Sequence, residues 1–216
     1  MEAPLSSSIE SSADRHEASR QVARGFEARD WICCPSFLAG RRIEALRQEC
    51  LSLHRAGKFR PAGIGREAVR DATIRGDEIL WFEDDMSWAP EAARVLGGEF
   101  SALRDAINAT TFLGLQDFEG HYAVYAPGAH YARHVDRFKD DSRRLVSVVL
   151  YLNNAWDPEE GGELCLYRDP ADAEPVGRVL PQAGTLVCFL SATVPHEVRE
   201  ATRTRMSLTG WFRRRP

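Results

Sequence analysis

The sequence predicts an α+β fold in which helices come first and a β-rich half follows. Between residues 18 and 109, apolar residues recur mostly at helical spacing among charged ones. After Thr111 the pattern changes to short apolar segments, separated by turn residues such as Pro127-Gly128 and Gly161-Gly162. Several short strands with regular turn signals are typical of a β-sandwich or barrel.

The individual elements follow from these patterns. In the helical half we predict, in order, a helix over 18–28, a strand over Trp31–Cys34, a helix from Gly40 to His54, a long exposed loop over 58–76, a strand over Glu78–Phe82 and a helix over Pro90–Ala109. The strands predicted for the second half are Tyr122–Tyr125, Leu145–Leu152, Leu164–Tyr167, Thr185–Leu190 and Met206–Phe212.

Because no internal repeat or linker occurs, we predict one domain over 15–216, after a disordered polar tail at 1–14. Within this domain we expect helical support at 15–110 and a β core at 111–213.

Composition and charge narrow the class of protein. The 216 residues are 44% hydrophobic and carry a formal net charge of −4, which gives no reason to expect nucleic-acid binding. No apolar stretch approaches the ~20 residues that span a bilayer, and the acidic, serine-rich start lacks the pattern of a secretion signal. Five cysteines without a CxxC pair indicate free thiols in a reducing compartment. We therefore expect a cytoplasmic protein without membrane association.

His134 and Asp136 form a candidate metal-binding pair. In a strand, residues two apart point to the same face, so both side chains can aim at one point. His196, about sixty residues further on in another β segment, is the candidate third ligand. Two histidines and one carboxylate make the facial triad typical of non-haem iron(II), which leaves three coordination positions open. A His-x-Asp pair also occurs by chance, and a histidine after proline is usually a surface or capping residue.

Arg205 lies nine residues after His196, in the last predicted strand. An inward-pointing arginine in an apolar strand needs an anionic partner, because an unpaired buried charge is very costly. The distal carboxylate of 2-oxoglutarate fits the planar fork of a guanidinium. A structural salt bridge to a buried Asp or Glu is the alternative, and Arg203 competes for the same role.

With these residues in view, the chain resembles the prolyl-4-hydroxylase branch of the 2-oxoglutarate oxygenases. It is most similar to the oxygen-sensing, hypoxia-inducible-factor-type prolyl hydroxylases and their bacterial relatives, from about Ala28 to Phe212. The matching segments are Gly57–Phe59, Ile74–Trp81, Tyr125–Gly128, Tyr131–Asp136, Tyr151–Asn153, Trp156–Asp157, Gly161–Leu164, Pro195–Val198, Arg205 and Thr209–Phe212.

This resemblance implies a double-stranded β-helix, or jelly-roll, core supported by N-terminal helices. It implies Fe(II) as the metal, 2-oxoglutarate as cosubstrate and ascorbate as reductant. The residues it carries over as iron ligands are His134, Asp136 and His196. It assigns the distal carboxylate of 2-oxoglutarate to Arg205.

The resemblance also implies which residues surround the cosubstrate. Tyr151 would give the distal carboxylate a second hydrogen bond, and Thr209 would line the same pocket. Tyr125 would sit beside both the cosubstrate and the substrate proline. The alternative for the two tyrosines is that they are half-buried strand aromatics, which β-sheets favour in any case.

The substrate implied by the resemblance is a proline-containing protein or peptide. Candidate substrate residues are Arg133, Arg75 and Trp211, and the long loop over 59–77 is expected to close over an extended peptide. Tyr125-Ala126-Pro127 departs from the family, whose oxygen-sensing members have no residue between Tyr and Pro. Two other functions stay open: an oxygenase of a small molecule or free amino acid, and a non-catalytic metal-binding interaction module. We expect a monomer.

Overall fold

The computed structural model describes residues 12–27, 29–63, 70–137 and 143–215. Residues 1–11 of the predicted tail and residues 64–69 of the predicted long loop lie outside the described residues. The first helix begins at Ser12, three residues before the predicted start of the domain. In the part of the chain that is described, no helix is both long and apolar enough to cross a membrane.

Helices make up most of the described N-terminal half, which also contains three short strands. The helices are α1 (Ser12–Glu27), α2 (Gly40–Arg55), α3 (Pro90–Val95) and α4 (Ser101–Thr111), and a π-helical turn over Leu96–Phe100 joins the last two. The sequence predicted one continuous helix over Pro90–Ala109, and the observed helical run differs from it by this π turn. The turn contains Gly97 and Gly98, whose weak helix propensity makes a local widening cheap there.

Eleven strands are formed by the described residues. They are β1 (Trp31–Cys34), β2 (Arg60–Pro61), β3 (Asp77–Trp81), β4 (Asp117–Tyr125), β5 (Tyr131–His134), β6 (Arg144–Tyr151), β7 (Leu164–Leu166), β8 (Gly177–Val179), β9 (Leu186–Leu190), β10 (His196–Val198) and β11 (Arg205–Arg213). A seven-stranded sheet has the order β1-β9-β6-β11-β4-β3-β2, and a four-stranded sheet has the order β5-β10-β7-β8. Two facing antiparallel sheets are the jelly-roll core expected from the resemblance.

Strand β6 explains why the larger sheet lies in the middle of the molecule. Its residues Val146, Val148 and Leu150 belong to the core shared with the helices, whereas Val149 and Tyr151 belong to the core between the sheets. Alternate side chains of a strand point to opposite faces, so a strand that is apolar at nearly every position needs both faces covered. The helices cover one face of the larger sheet, and the smaller sheet covers the other.

The observed strands differ from the predicted ones in length and number. β4 begins at Asp117 rather than Tyr122, because the segment from Asp117 to Gly120 pairs with Gly210 to Arg213 of β11. β2, β5, β8 and β10 have two to four residues each. Of these four, β2 and β8 carry too little apolar pattern to be seen in the sequence, whereas His134 of β5 and His196 of β10 were expected in β segments. All four strands form through pairing with neighbours that are distant in the chain.

Candidate active site

His134 and His196 face each other across the ladder between β5 and β10. They are direct register partners, and their ring centroids lie 4.2 Å apart. Asp136 lies two residues beyond the end of β5, in a bend rather than in a strand. The strand argument that placed His134 and Asp136 on one face was therefore wrong about the backbone. The bend nevertheless brings one ligand atom of each of the three residues to within 4.8 Å of the other two.

The hydrogen bonds of both histidines leave the same nitrogen available. Nδ1 of His134 is 2.8 Å from the carbonyl oxygen of Ala132, and Nδ1 of His196 is 3.0 Å from that of Val194. A neutral imidazole that donates from Nδ1 presents the lone pair of Nε2. The two Nε2 atoms therefore keep their lone pairs available for a metal, and both lie beside the carboxylate of Asp136.

The donor set fits a divalent cation. Nε2 of His134 is 3.5 Å from Oδ1 of Asp136, and Nε2 of His196 is 3.6 Å from Oδ2. Ligands bound about 2.1 Å from one ion on an octahedral face lie about 3 Å apart, so small movements would complete the site. Two imidazoles and one carboxylate on one face suit non-haem Fe(II).

Local electrostatics keep His196 and Asp136 in the protonation states that metal binding needs. Burial lowers the pKa of His196 to about 4, and the neighbouring His134 adds to this, so the ring of His196 is neutral at pH 7. Burial raises the pKa of Asp136, but the His196 and His134 rings and the Ser147 hydroxyl outweigh it and hold this pKa far below its usual range. Neutral imidazoles and an ionised carboxylate are the binding-competent forms.

Neighbouring side chains hold the ligands in place. The hydroxyl of Ser147 on β6 donates a 2.6 Å hydrogen bond to Oδ2 of Asp136, and it lies 2.9 Å from the hydroxyl of Ser191. The ring of Tyr131 stacks on His134 at 3.6 Å, and that of Phe189 lies 4.5 Å from His196. Sequence reasoning missed these supports. The only signal for Ser147 was a polar residue at an inward position of an apolar strand.

Arg205 is one of the most deeply buried side chains of the protein, 2% exposed. Its Nε donates a 2.9 Å hydrogen bond to the carbonyl oxygen of Gly162, and its Cζ lies 5.0 Å from the ring centroids of both Tyr125 and Tyr151. No ion pair joins it to a carboxylate among the residues that the structure describes. The alternative of a structural salt bridge therefore lacks a described partner, and the guanidinium is a buried cation that needs an anion.

Arg203, the competing arginine, lies outside this pocket. Its side chain is 38% exposed, its Nη1 is 3.2 Å from Glu160, and its Cζ lies 4.8 Å from the ring of Trp156.

The neighbouring turn shows why two glycines precede β7. Gly161 has φ +70°, and a Cβ there would come within 2.5 Å of the carbonyl oxygen of Glu200. Glycine is the residue that accepts this conformation and this close approach.

Three of the four predicted cosubstrate residues line one pocket together with the candidate metal ligands, and Tyr151 lies outside this lining. This pocket includes Tyr125, Thr209 and Trp211, as well as Arg205 and the triad. Tyr151 is fully buried beside Arg205, and its hydroxyl has no hydrogen-bond partner within the described chain. Burial raises the pKa of Tyr151 to about 12, so the phenol stays protonated and is able to donate.

The three predicted substrate residues are placed differently. Trp211 is buried in the pocket wall. Arg75 also reaches the pocket, but its guanidinium is bound to Asp77, with distances of 2.6 Å and 2.9 Å. Arg133 stacks 3.4 Å above the ring of Tyr167 and donates to the carbonyl oxygens of Pro170 and Asp172, so its cation is engaged on the outer side of the smaller sheet.

Comparison with known proteins agrees with the class that fold and site define. The sequence profile of the 2OG-Fe(II) oxygenase superfamily matches residues 120–213. The crystal structure of a Pseudomonas putida prolyl-4-hydroxylase is 45% identical in sequence, with a TM-score of 0.80, over 92% of this chain and all of the other. The chain belongs to the 2OG-Fe(II) oxygenase superfamily and, within it, to the prolyl hydroxylases.

Two further relatives are similar over most of the chain. A Trichoplax adhaerens prolyl hydroxylase, solved in complex with a peptide fragment of the hypoxia inducible factor oxygen degradation domain, is 27% identical with a TM-score of 0.82, over 93% of this chain and 91% of the other. Egl nine homolog 1 of Mus musculus is 29% identical over 195 residues, which is 84% of this chain and 46% of that protein. The chain thus spans about half the length of the curated relatives it matches.

Proposed function

We propose that this protein is an Fe(II)- and 2-oxoglutarate-dependent dioxygenase that hydroxylates a prolyl residue of a protein or peptide, with release of succinate and CO2. The observation that carries the proposal is the buried Arg205, which shares a pocket with the triad and has no described carboxylate partner. An anionic cosubstrate that binds beside the metal supplies the missing charge. The two carboxylates of 2-oxoglutarate suit this arrangement, one for the metal and one for Arg205.

Each group of residues has a distinct task in this proposal. His134, Asp136 and His196 would hold the metal, and their two imidazoles and one carboxylate suit non-haem Fe(II). When bound, Fe(II) supplies the activation of dioxygen, coupled to oxidative decarboxylation of 2-oxoglutarate. Arg205 binds the distal carboxylate through its free guanidinium nitrogens, and the hydroxyl of Tyr151 donates a second hydrogen bond. The apolar and aromatic walls keep water from the reacting groups.

A prolyl substrate is supported by the relatives. The Pseudomonas putida protein is named a prolyl-4-hydroxylase, and the Trichoplax adhaerens enzyme was solved with a peptide bound. Both cover more than nine tenths of this chain. Within the structure, Arg75 and Asp77 line the pocket, and both belong to the described end of the loop that we predicted would close over a peptide.

The first experiment tests the oxygenase chemistry. We expect purified protein with Fe(II), 2-oxoglutarate and ascorbate to form succinate, and His134→Ala and Asp136→Ala to abolish this and to retain little iron. His130→Ala is the matched control, because His130 lies close by but contacts the carbonyl oxygen of Thr73 instead of the triad. Near-normal turnover by either triad variant would overturn the site assignment. Absence of turnover in wild-type protein under varied conditions would favour the non-catalytic module.

The second experiment tests the substrate. Proteomes with and without the protein are compared by mass spectrometry for prolines that have gained one oxygen atom. A hydroxyproline that depends on the protein, and disappears with His134→Ala, supports the proposal. Succinate formation stimulated by a free amino acid, without any modified proline, would favour the small-molecule alternative.

Three finer points belong to the same proposal. Ascorbate is proposed as the reductant that restores Fe(II), which predicts higher total turnover when it is present. A cytoplasmic location is supported by five free cysteines, four of them buried. We propose that the protein acts as a monomer, which sedimentation at working concentration tests.

A further inference from the structure

Asn153 is a buried polar residue that lies outside the metal site and is fully hydrogen-bonded. It follows the end of β6 by two residues and is 1% exposed. Its Nδ2 donates to the carbonyl oxygens of Pro181, at 2.7 Å, and Met206, at 3.0 Å. Its Oδ1 accepts from the backbone N–H of Met206 at 2.7 Å. Burial of an amide is costly unless its polar atoms are paired, and this amide is paired at both atoms.

The Asn153 amide holds β11 at the point where its pairing with β6 ends. The last register pair of this ladder is Tyr151 with Ser207. Beyond it, the backbone N–H of Leu152 donates to the carbonyl oxygen of Met206 at 3.1 Å. In a regular antiparallel pair the carbonyl oxygen of Leu152 would accept from Met206 in return, but Oδ1 of Asn153 accepts this hydrogen. The side chain thus replaces the backbone of β6 for one residue.

Met206 is the neighbour of Arg205, so the clamp lies directly beside the residue that carries the buried guanidinium. Arg205 pairs with Tyr125, and this is the last register pair between β11 and β4. The preceding residue, Thr204, is exposed. Arg205 therefore stands at the end of both ladders, and the Asn153 amide secures the backbone immediately after it.

The placement of the guanidinium decides how well it can bind a carboxylate. Its Nε is oriented by the carbonyl oxygen of Gly162, and its Cζ lies 5.0 Å from the ring centroids of Tyr125 and Tyr151. A bidentate bond between guanidinium and carboxylate needs a fixed relative orientation of the two groups. A misplacement of about 1 Å in a reacting complex can cost on the order of 100-fold. A shift at the start of β11 would move the guanidinium with it.

We propose that Asn153 is a positioning residue, which sets the start of β11 so that the guanidinium of Arg205 meets the distal carboxylate of 2-oxoglutarate. This assignment rests on the proposed binding of 2-oxoglutarate by Arg205. The backbone carbonyl oxygen of Asn153 accepts from the N–H of Ala183 at 2.8 Å, and its Nδ2 reaches Pro181. One residue thus joins β6, β11 and the segment before β9.

The test measures binding without turnover, with Mn(II) in place of Fe(II). Asn153→Ala removes all three side-chain hydrogen bonds, and Asn153→Asp keeps the size and the acceptor for Met206 but lacks the amide donors. Asn108→Ala is the matched control, because Asn108 makes the same two-way contact with the backbone of Leu115, at 2.8 Å and 2.7 Å, beside the end of α4. Calorimetry gives the affinity for 2-oxoglutarate, equilibrium dialysis gives that for Mn(II), and urea unfolding gives the midpoint of each variant.

We expect Asn153→Ala and Asn153→Asp each to lower the affinity for 2-oxoglutarate by about tenfold, which corresponds to one weakened hydrogen bond to a charged group. The affinity for Mn(II) should stay within twofold of wild type, because the triad lies on β5, on β10 and in the bend after β5. Asn108→Ala should also lower the urea midpoint but leave the affinity for 2-oxoglutarate at the wild-type level. A merely structural role of Asn153 would make the variants of both asparagines behave alike.

A double substitution shows whether Asn153 acts through Arg205. In the Arg205→Met background, Asn153→Ala should change the affinity for 2-oxoglutarate by less than twofold, because the group that it positions is gone. A further tenfold loss there would mean that Asn153 acts on the pocket by another route, and would overturn the proposal.

Two other outcomes would also overturn it. One is wild-type affinity for 2-oxoglutarate, to within twofold, in both Asn153 variants. The other is failure of both variants to fold while Asn108→Ala folds, since Asn153 would then serve stability alone. Wild-type protein that binds Mn(II) but no 2-oxoglutarate would instead contradict the proposed function.

Discussion

His134 is the direct register partner of His196 in the smaller sheet, and this pairing places two candidate metal ligands from distant parts of the chain opposite each other. The pairing also fixes which nitrogen each ring presents, because both Nδ1 atoms lie near carbonyl oxygens of their own segments. The sheet thus positions two ligands before any metal binds. Only Asp136 depends on a bend, and Ser147 holds it there.

Removing the hydroxyl that holds Asp136 should weaken metal binding. Outer partners of metal ligands typically contribute 10- to 100-fold in affinity, so Ser147→Ala should raise the dissociation constant for Mn(II) by roughly this factor. Equilibrium dialysis of the metal-free protein measures it. Ser191→Ala is the matched control, since Ser191 touches Ser147 and not Asp136, and should have a smaller effect. Equal affinities in wild type and Ser147→Ala would contradict the argument.

Arg205 and Arg203 should differ sharply in their effect on the cosubstrate. Loss of one member of a buried charge pair costs about 2–5 kcal/mol, so Arg205→Met should raise the KM for 2-oxoglutarate roughly 30-fold or more while the metal affinity stays unchanged. Steady-state succinate formation measures this change. Arg203→Met removes an exposed arginine and should leave the KM as it is. The reverse result would mean that the wrong arginine was assigned.

Tyr151→Phe should separate stability from cosubstrate binding. Its hydroxyl is buried and unpartnered in the described structure, so its removal should not lower the free energy of unfolding of the ligand-free protein. Affinity for 2-oxoglutarate should nevertheless fall about tenfold, through loss of one hydrogen bond to a charged group. Urea unfolding and calorimetry measure the two quantities. Tyr167→Phe, which loses a bond to Glu197 outside the pocket, should leave the affinity unchanged. A strong loss of stability in Tyr151→Phe would indicate a structural partner instead.

Acid should destabilise the metal-free protein in part through His121. Burial lowers the pKa of His121 from 6.5 to about 3, so between these values the unfolded chain binds a proton that the folded chain does not. The contribution of the neutral His121 ring to the free energy of unfolding is therefore present above pH 6.5, and it is lost as the pH falls from 6.5 towards 3. From pH 7 to pH 5 the wild type should lose about 2 kcal/mol more than His121→Met in urea unfolding. His54→Met keeps His121 and should show the wild-type loss. Parallel losses in wild type and His121→Met would show that His121 is protonated in the folded state.

Much of the site could be predicted from the sequence because its residues lie in local patterns. His134 with Asp136, His196 after a proline, and Arg205 in an apolar strand are each visible within a few residues. The order of helices followed by short strands was visible for the same reason. What the sequence could not provide was the partner of each group, since partners come from other strands.

The sequence by itself determined the fold class, the three candidate ligands and the two candidate arginines, because periodicity and residue type are properties of short segments. Only the tertiary structure decided that Arg205 is buried without a described carboxylate while Arg203 is exposed beside Glu160. It alone brought Ser147 to Asp136 and placed His121 beside Trp211. The physical reason is that burial and charge pairing depend on contacts between strands far apart in the chain, and strand register sets those contacts.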